Sequence, residues 1–110
     1  MPVATAAKVE ALSRDFRSGA ELADALGVSR SQITRWLRGA GIDPRNAEKI
    51  DLLELVLASL LRLYEPEAAR AWLFGLNAHL GDRRPIDLVR GGKVEELLAA
   101  IRAERAESFA

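Results

Sequence analysis

The chain has 110 residues, 49% of them hydrophobic and 29% charged, which fits a folded globular protein and excludes a disordered one. Sixteen basic and sixteen acidic side chains cancel, so a general cationic coat for nucleic acid is excluded, although a local basic patch is not. With no cysteine and a single histidine, disulfides, thiolate metal sites, thiol nucleophiles and zinc sites built on several histidines are excluded as well.

The elements in chain order all read as helix. Val, Ile and Thr are sparse, no stretch alternates apolar and polar residues over a strand's length, and Ala, Leu, Glu and Arg dominate. Thr5 is suited to cap a first helix that runs to about Phe16. Ser18 caps a second, Gly19 to Leu26, with Glu21 placed as the far half of a capping box. Gly27 breaks the pattern, and Ser29 caps a third helix from Arg30 to Arg38. Gly39-Ala40-Gly41 ends that helix, and Asp43-Pro44 opens the next. The fourth helix, Arg45 to Tyr64, carries an apolar arc of roughly 180°, wider than the ~100° stripe of an ordinary surface helix, with Leu55 alone on the polar side. A fifth helix spans Pro66 to Phe74. Residues Gly75 to Arg84 read as irregular or as one short turn. A short helical turn follows from Pro85 to Val89, and a last helix from Lys93 to Arg105 after Gly91-Gly92. The fold class is therefore all-α. The boundary at Gly39 to Pro44 divides it into a lobe of residues 1–44 and a lobe of residues 45–110. Residues 1–45 carry seven basic and five acidic side chains, and the rest carry nine and eleven.

Residues 19–38 match a helix-turn-helix. Such a unit needs a small residue where its helices cross, a residue tolerant of positive φ in its turn, and apolar residues from both helices in its core. Ala23, Gly27, and the set Leu22, Leu26, Val28, Ile33 and Trp36 meet those needs. With Ile33, Trp36 and Leu37 assigned to the core, the outward face of the third helix consists of Arg30, Ser31, Gln32, Thr34, Arg35 and Arg38. Arg pairs with guanine edges or phosphate, Gln with adenine, and hydroxyls with either. Arg30 to Arg45 holds four arginines against one aspartate, so basic charge concentrates where a major groove would lie. Arg30, Gln32, Thr34 and Arg35 are the expected base readers, with Arg38 nearer phosphate. Two-fold pairing of the protein through the fourth helix is expected, because one helix-turn-helix alone makes few contacts.

The second lobe carries a more particular pattern. Trp72-Leu73, Asn77, Leu80, Pro85, Asp87-Leu88 and Gly91 follow one another in an order and spacing that resembles the toxin-binding domain of the Xre/MbcA/ParS family of bacterial antitoxins. The family usually has a proline before the asparagine, where this chain has Leu76. The resemblance covers about Asp51 to the end, with a helix-turn-helix ahead of it, as in the family. It implies an antitoxin that neutralises a cognate RES-type, NAD-consuming toxin and binds the operator DNA of its own promoter. The expected toxin-facing residues are Arg83, Arg84, Arg90 and Lys93, a second basic cluster, and Phe109, a large aromatic near the terminus. No cofactor is implied, because the toxin chemistry belongs to the partner.

An alternative is a stand-alone transcriptional regulator. An enzyme built on His79, with Asp82 or Asp87 as its partner, is a third reading, but a surface or capping histidine explains the residue more simply. Hence no catalytic residue and no metal ligand is assigned. The N-terminus has no basic leader before an apolar run, and Leu52 to Leu61 is too short for a bilayer and contains Glu54. A cytoplasmic protein with no membrane partner is expected.

Overall fold

The computed structural model describes residues 5–108. They form seven α-helices: α1 (Thr5–Asp15), α2 (Gly19–Leu26), α3 (Arg30–Leu37), α4 (Pro44–Leu61), α5 (Pro66–Phe74), α6 (Pro85–Gly91) and α7 (Val94–Ser108). A single 3-10 turn, Ala78–Leu80, lies between α5 and α6. The described residues contain no strand, only one isolated antiparallel bridge between Asn77 and Arg83.

Local chemistry explains the boundaries. The hydroxyl of Ser18 accepts a bond from the Glu21 N–H, and that of Ser29 accepts one from Gln32. Asp43 accepts one from Asn46, with Pro44 in the first turn where a missing N–H costs nothing. The Glu21 carboxylate reaches back to the Arg17 N–H, a reciprocal bond like that of a capping box. Gly27 closes α2 in the left-handed region, at φ 69°, and Gly92 closes α6 at φ 67°. The chain stays helical to Leu61 in α4 and not to Tyr64, because the residue before Pro66 must be extended and Glu65 takes ψ 156°. At the other end α7 continues past Arg105 to Ser108, since Ala106 and Glu107 favour helix and nothing stops it.

One hydrophobic core runs through the described residues. Val9 and Leu12 of α1, Leu22 and Leu26 of α2, and Ile33 and Trp36 of α3 join Ile50, Leu53, Val56 and Leu60 of α4 in it. Leu73, Ile86, Val89 and Leu97, from α5 to α7, belong to the same cluster. Phe16 and Phe74 meet edge to face, with ring centroids 6.4 Å apart, linking the α1–α2 connection to the fifth helix. The wide apolar arc of α4 is buried at Ile50, Leu52, Leu53, Val56, Leu57 and Leu60 because helices lie on both sides of it. Leu55 stands 49% exposed on the opposite side, as its place on the helical wheel predicts.

Candidate functional site

The α2–α3 unit has the expected interior. Ala23, Leu22 and Leu26 are buried from α2, and Ile33 and Trp36 from α3, and Val28 packs on them. Trp36 is 1% exposed, which makes it a core residue and not a base-stacking one. Leu37 departs from the reading of α3: it is 46% exposed. It follows buried Trp36 by one residue, about 100° round the helix, so it belongs to the outer face.

That face is open. Arg30, Ser31, Thr34, Arg35 and Arg38 are exposed and Gln32 is half-buried. Arg30, Arg35 and Arg38 form no ion pair with any described residue. The Arg35 guanidinium donates to the Gln32 side-chain oxygen at 2.7 Å, so these two polar groups are aligned along one row of the helix. The Thr34 hydroxyl donates back to the Arg30 carbonyl. Together they present a cationic, hydrogen-bonding helix surface with no acid on it, of the kind a major groove accepts.

The α2 carboxyl end is held from the second half of the chain. The Arg90 guanidinium donates to the Asp24 carbonyl and pairs with its carboxylate at 2.8 Å. The Lys49 ammonium donates to the Leu26 carbonyl at 2.7 Å. Cations on the last carbonyls of a helix satisfy orphan acceptors and oppose the negative end of its dipole. Burial, then repulsion from Arg45, pushes the Lys49 ammonium below its ordinary pKa. The same device recurs at α1, where Arg70 of α5 donates to the Asp15 carbonyl at 2.9 Å.

The residues that carry the family resemblance prove to be fold makers. Leu73 and Leu80 are buried in the core, and Pro85 and Leu88 are buried in α6. The Asn77 side chain accepts the His79 N–H at 2.9 Å and so caps the 3-10 turn. The Asn77 carbonyl accepts the N–H of Asp82, which adopts φ 62°, a left-handed conformation that a short polar side chain tolerates. Asp87 bridges Arg84, at 3.1 Å, and Arg90, at 3.4 Å. Leu76, where the family has proline, stands 75% exposed.

The second basic cluster is brought together at the α6–α7 corner, but mostly as paired groups. Arg83 binds the Glu96 carboxylate and the Leu80 carbonyl, Arg84 binds Asp87, and Arg90 is engaged with Asp24. Asp87 beside Arg84 holds that guanidinium above its usual value. Lys93 is exposed and has no ion-pair partner among the described residues. Phe109 lies outside the described residues. The His79 Nε2 lies 3.0 Å from a Glu107 oxygen on α7. Sequence reasoning missed Asp24, Lys49 and Glu107, each of which acts on a partner more than 20 residues away.

Seven helices around one core, with an exposed basic second helix in the α2–α3 unit, define a helix-turn-helix protein extended by a helical C-terminal lobe. The helix-turn-helix family matches residues 17–51. The mycobacterial cidal antitoxin MbcA of Mycobacterium tuberculosis, like that of Mycobacterium bovis, is 32% identical over 84 residues, which cover 76% of this chain and 74% of MbcA. A chain in the crystal structure of the M. tuberculosis MbcT-MbcA toxin-antitoxin complex superposes with a TM-score of 0.75 at 30% identity, covering 93% of this chain and 94% of that one. The protein belongs to the MbcA antitoxin family.

Proposed function

We propose that the protein is an antitoxin that binds and neutralises a cognate toxin of RES type and represses its own operon through α3. The observation that carries this reading is the match to an antitoxin of a toxin-antitoxin complex along almost the whole chain, the helix-turn-helix and the second lobe together. The chain itself does no chemistry in this reading; the NAD-consuming step belongs to the toxin. It acts in the cytoplasm, where its promoter and its toxin meet, and no helix of the described residues is long and apolar enough to cross a membrane.

For DNA we assign Arg30, Ser31, Gln32, Thr34 and Arg35 to base edges or nearby backbone and Arg38 to phosphate. Their exposure and the absence of acids on that face support it. For the toxin we assign Arg83, Arg84 and Lys93 of the α6–α7 corner and, from the sequence alone, Phe109. Arg90 fixes the corner against α2. A two-fold homodimer through α4 is supported by the exposed Leu55, which flanks a cleft of about 400 Å³ with Leu52 and Val94. Residues 1–44 and 45–110 serve the two tasks, DNA and toxin, over one shared core.

Co-expression with the toxin encoded beside the gene tests the reading. The wild-type chain should restore growth. Lys93→Glu combined with Phe109→Ala should abolish rescue while promoter binding persists. Full rescue by that variant would move the toxin contact elsewhere, toward Trp72 to Leu80. A wild-type chain that binds its promoter yet neither binds nor neutralises the toxin would establish a stand-alone regulator instead.

A further inference from the structure

We propose that His79, Glu104 and Glu107 form a binding site for a divalent zinc-type cation that staples the 3-10 turn to the carboxyl end of α7. Glu104 and Glu107 lie three residues apart on one face of α7. His79 comes from the turn Ala78–Leu80, 25 residues earlier than Glu104, and the fold alone brings it there. The His79 Nε2 and one carboxylate oxygen from each glutamate all lie within 4.8 Å of one another. A tetrahedral zinc ion, with bonds of about 2.0–2.2 Å, needs donor atoms about 3.4 Å apart, so small side-chain rotations close the site. His79 and Glu107 are already at 3.0 Å.

Three further features favour a cation. Two carboxylates converge on a single imidazole, and like charges in one place are relieved by a positive ion between them. Glu104 is half-buried and accepts a hydrogen bond from the Tyr64 hydroxyl, the kind of outer contact that orients a metal-binding carboxylate. The backbone of His79 is itself fixed, through its N–H bond to Asn77. One imidazole and two carboxylates select zinc, cobalt or nickel over calcium or magnesium, which prefer all-oxygen shells, and the absence of thiolate excludes soft-metal specificity. Water completes the fourth position.

The test needs neither toxin nor DNA and uses the tag-free full chain. Titration with zinc chloride in a calorimeter should give one equivalent bound with micromolar affinity, and cobalt should give the visible absorption of a four-coordinate ion. His79→Ala removes the only imidazole in the chain and should weaken zinc at least tenfold. Glu107→Gln should fall between wild type and His79→Ala. Zinc should raise the melting temperature of the wild type by several degrees and leave His79→Ala unmoved. Circular dichroism of each metal-free variant shows that it is folded. Wild-type zinc affinity no greater than that of folded His79→Ala, or the same zinc-induced melting shift in both, would overturn the proposal. Should His79→Ala fail to fold, wild-type titration followed by proton resonances decides: the His79 ring signals must shift with zinc, and unmoved signals overturn it.

Discussion

Gly27 sits at φ 69°, and a Cβ added there would lie 3.4 Å from the Arg90 Cγ and Cδ. The contact is tolerable; the backbone conformation is not, and a left-handed residue other than glycine costs about 1–2 kcal/mol. Gly27→Ala should therefore lower stability to chemical denaturant by about that amount. Arg90 acts on the same turn from the other side. Its bonds to Asp24 are partly solvent-screened, so Arg90→Ala should cost about 1 kcal/mol in the same measurement. That loss would loosen the end of α2 that packs beside α3, so a variant at Arg90 changes the helix-turn-helix as well as the α6–α7 corner. Lys93 is the cleaner probe of a toxin contact for this reason. Gly27 was legible in the sequence, because only a few residues accept that turn. The pairing of Arg90 with Asp24 was not, since a charge on one helix gives no sign of which of sixteen acids it will meet.

Among the elements, α3 and α4 make separate predictions. If α3 reads the groove, Arg30→Ala together with Arg35→Ala should abolish the electrophoretic shift of the promoter. Loss of one base-reading arginine should cost about 1–3 kcal/mol, while Arg38→Ala should weaken all sequences alike and flatten the salt dependence. A promoter shift that survives the double variant would remove α3 from the interface. For α4 the question is its cap. Hydrogen bonds from the Asn46 side chain and backbone hold the Asp43 carboxyl below its ordinary pKa of 3.8. The folded value is the lower one, so the cap contributes fully above 3.8 and is lost as pH falls through the folded value. Asp43→Ser keeps a capping oxygen that does not titrate. Its stability relative to wild type should improve steadily on acidification below about pH 5, as read from urea midpoints.

The caps of α2, α3 and α4 were all legible because Ser18, Ser29 and Asp43 act within three residues of themselves. The carboxyl ends of α4 and α7 were read less well. A helix end there depends on where a neighbouring proline forbids helix or where nothing does, and the apolar arc of α4 ran on through Leu63 and Tyr64 without a break. Leu37 was misplaced for a different reason: its spacing suits the core, yet it points about 100° round the helix from buried Trp36, to the open side. For the candidate site, the exposed basic face of α3 followed from local pattern. The cationic caps on α1 and α2 and the meeting of His79 with Glu107 required the fold.

At the scale of the molecule, the continuous core sets the behaviour of any fragment. Beyond one another, α1 packs on α4, and α2 packs on α6 and α4. Arg90, Lys49 and Arg70, all from beyond Pro44, also satisfy the carbonyl ends of α1 and α2. A peptide of residues 1–44 loses both kinds of support and should show little helix by circular dichroism and no cooperative unfolding, whereas the full chain should unfold in one transition. A cooperatively folded 1–44 peptide would contradict this.

The same continuity bears on how the protein is turned over. Gly39, Ala40 and Gly41 are exposed, a connection of small residues of the kind proteases favour. A single cut there parts the helices that share the one core. In an antitoxin of this build the promoter and the toxin would be released by one event, so that loss of neutralisation and the signal to make more antitoxin arrive together.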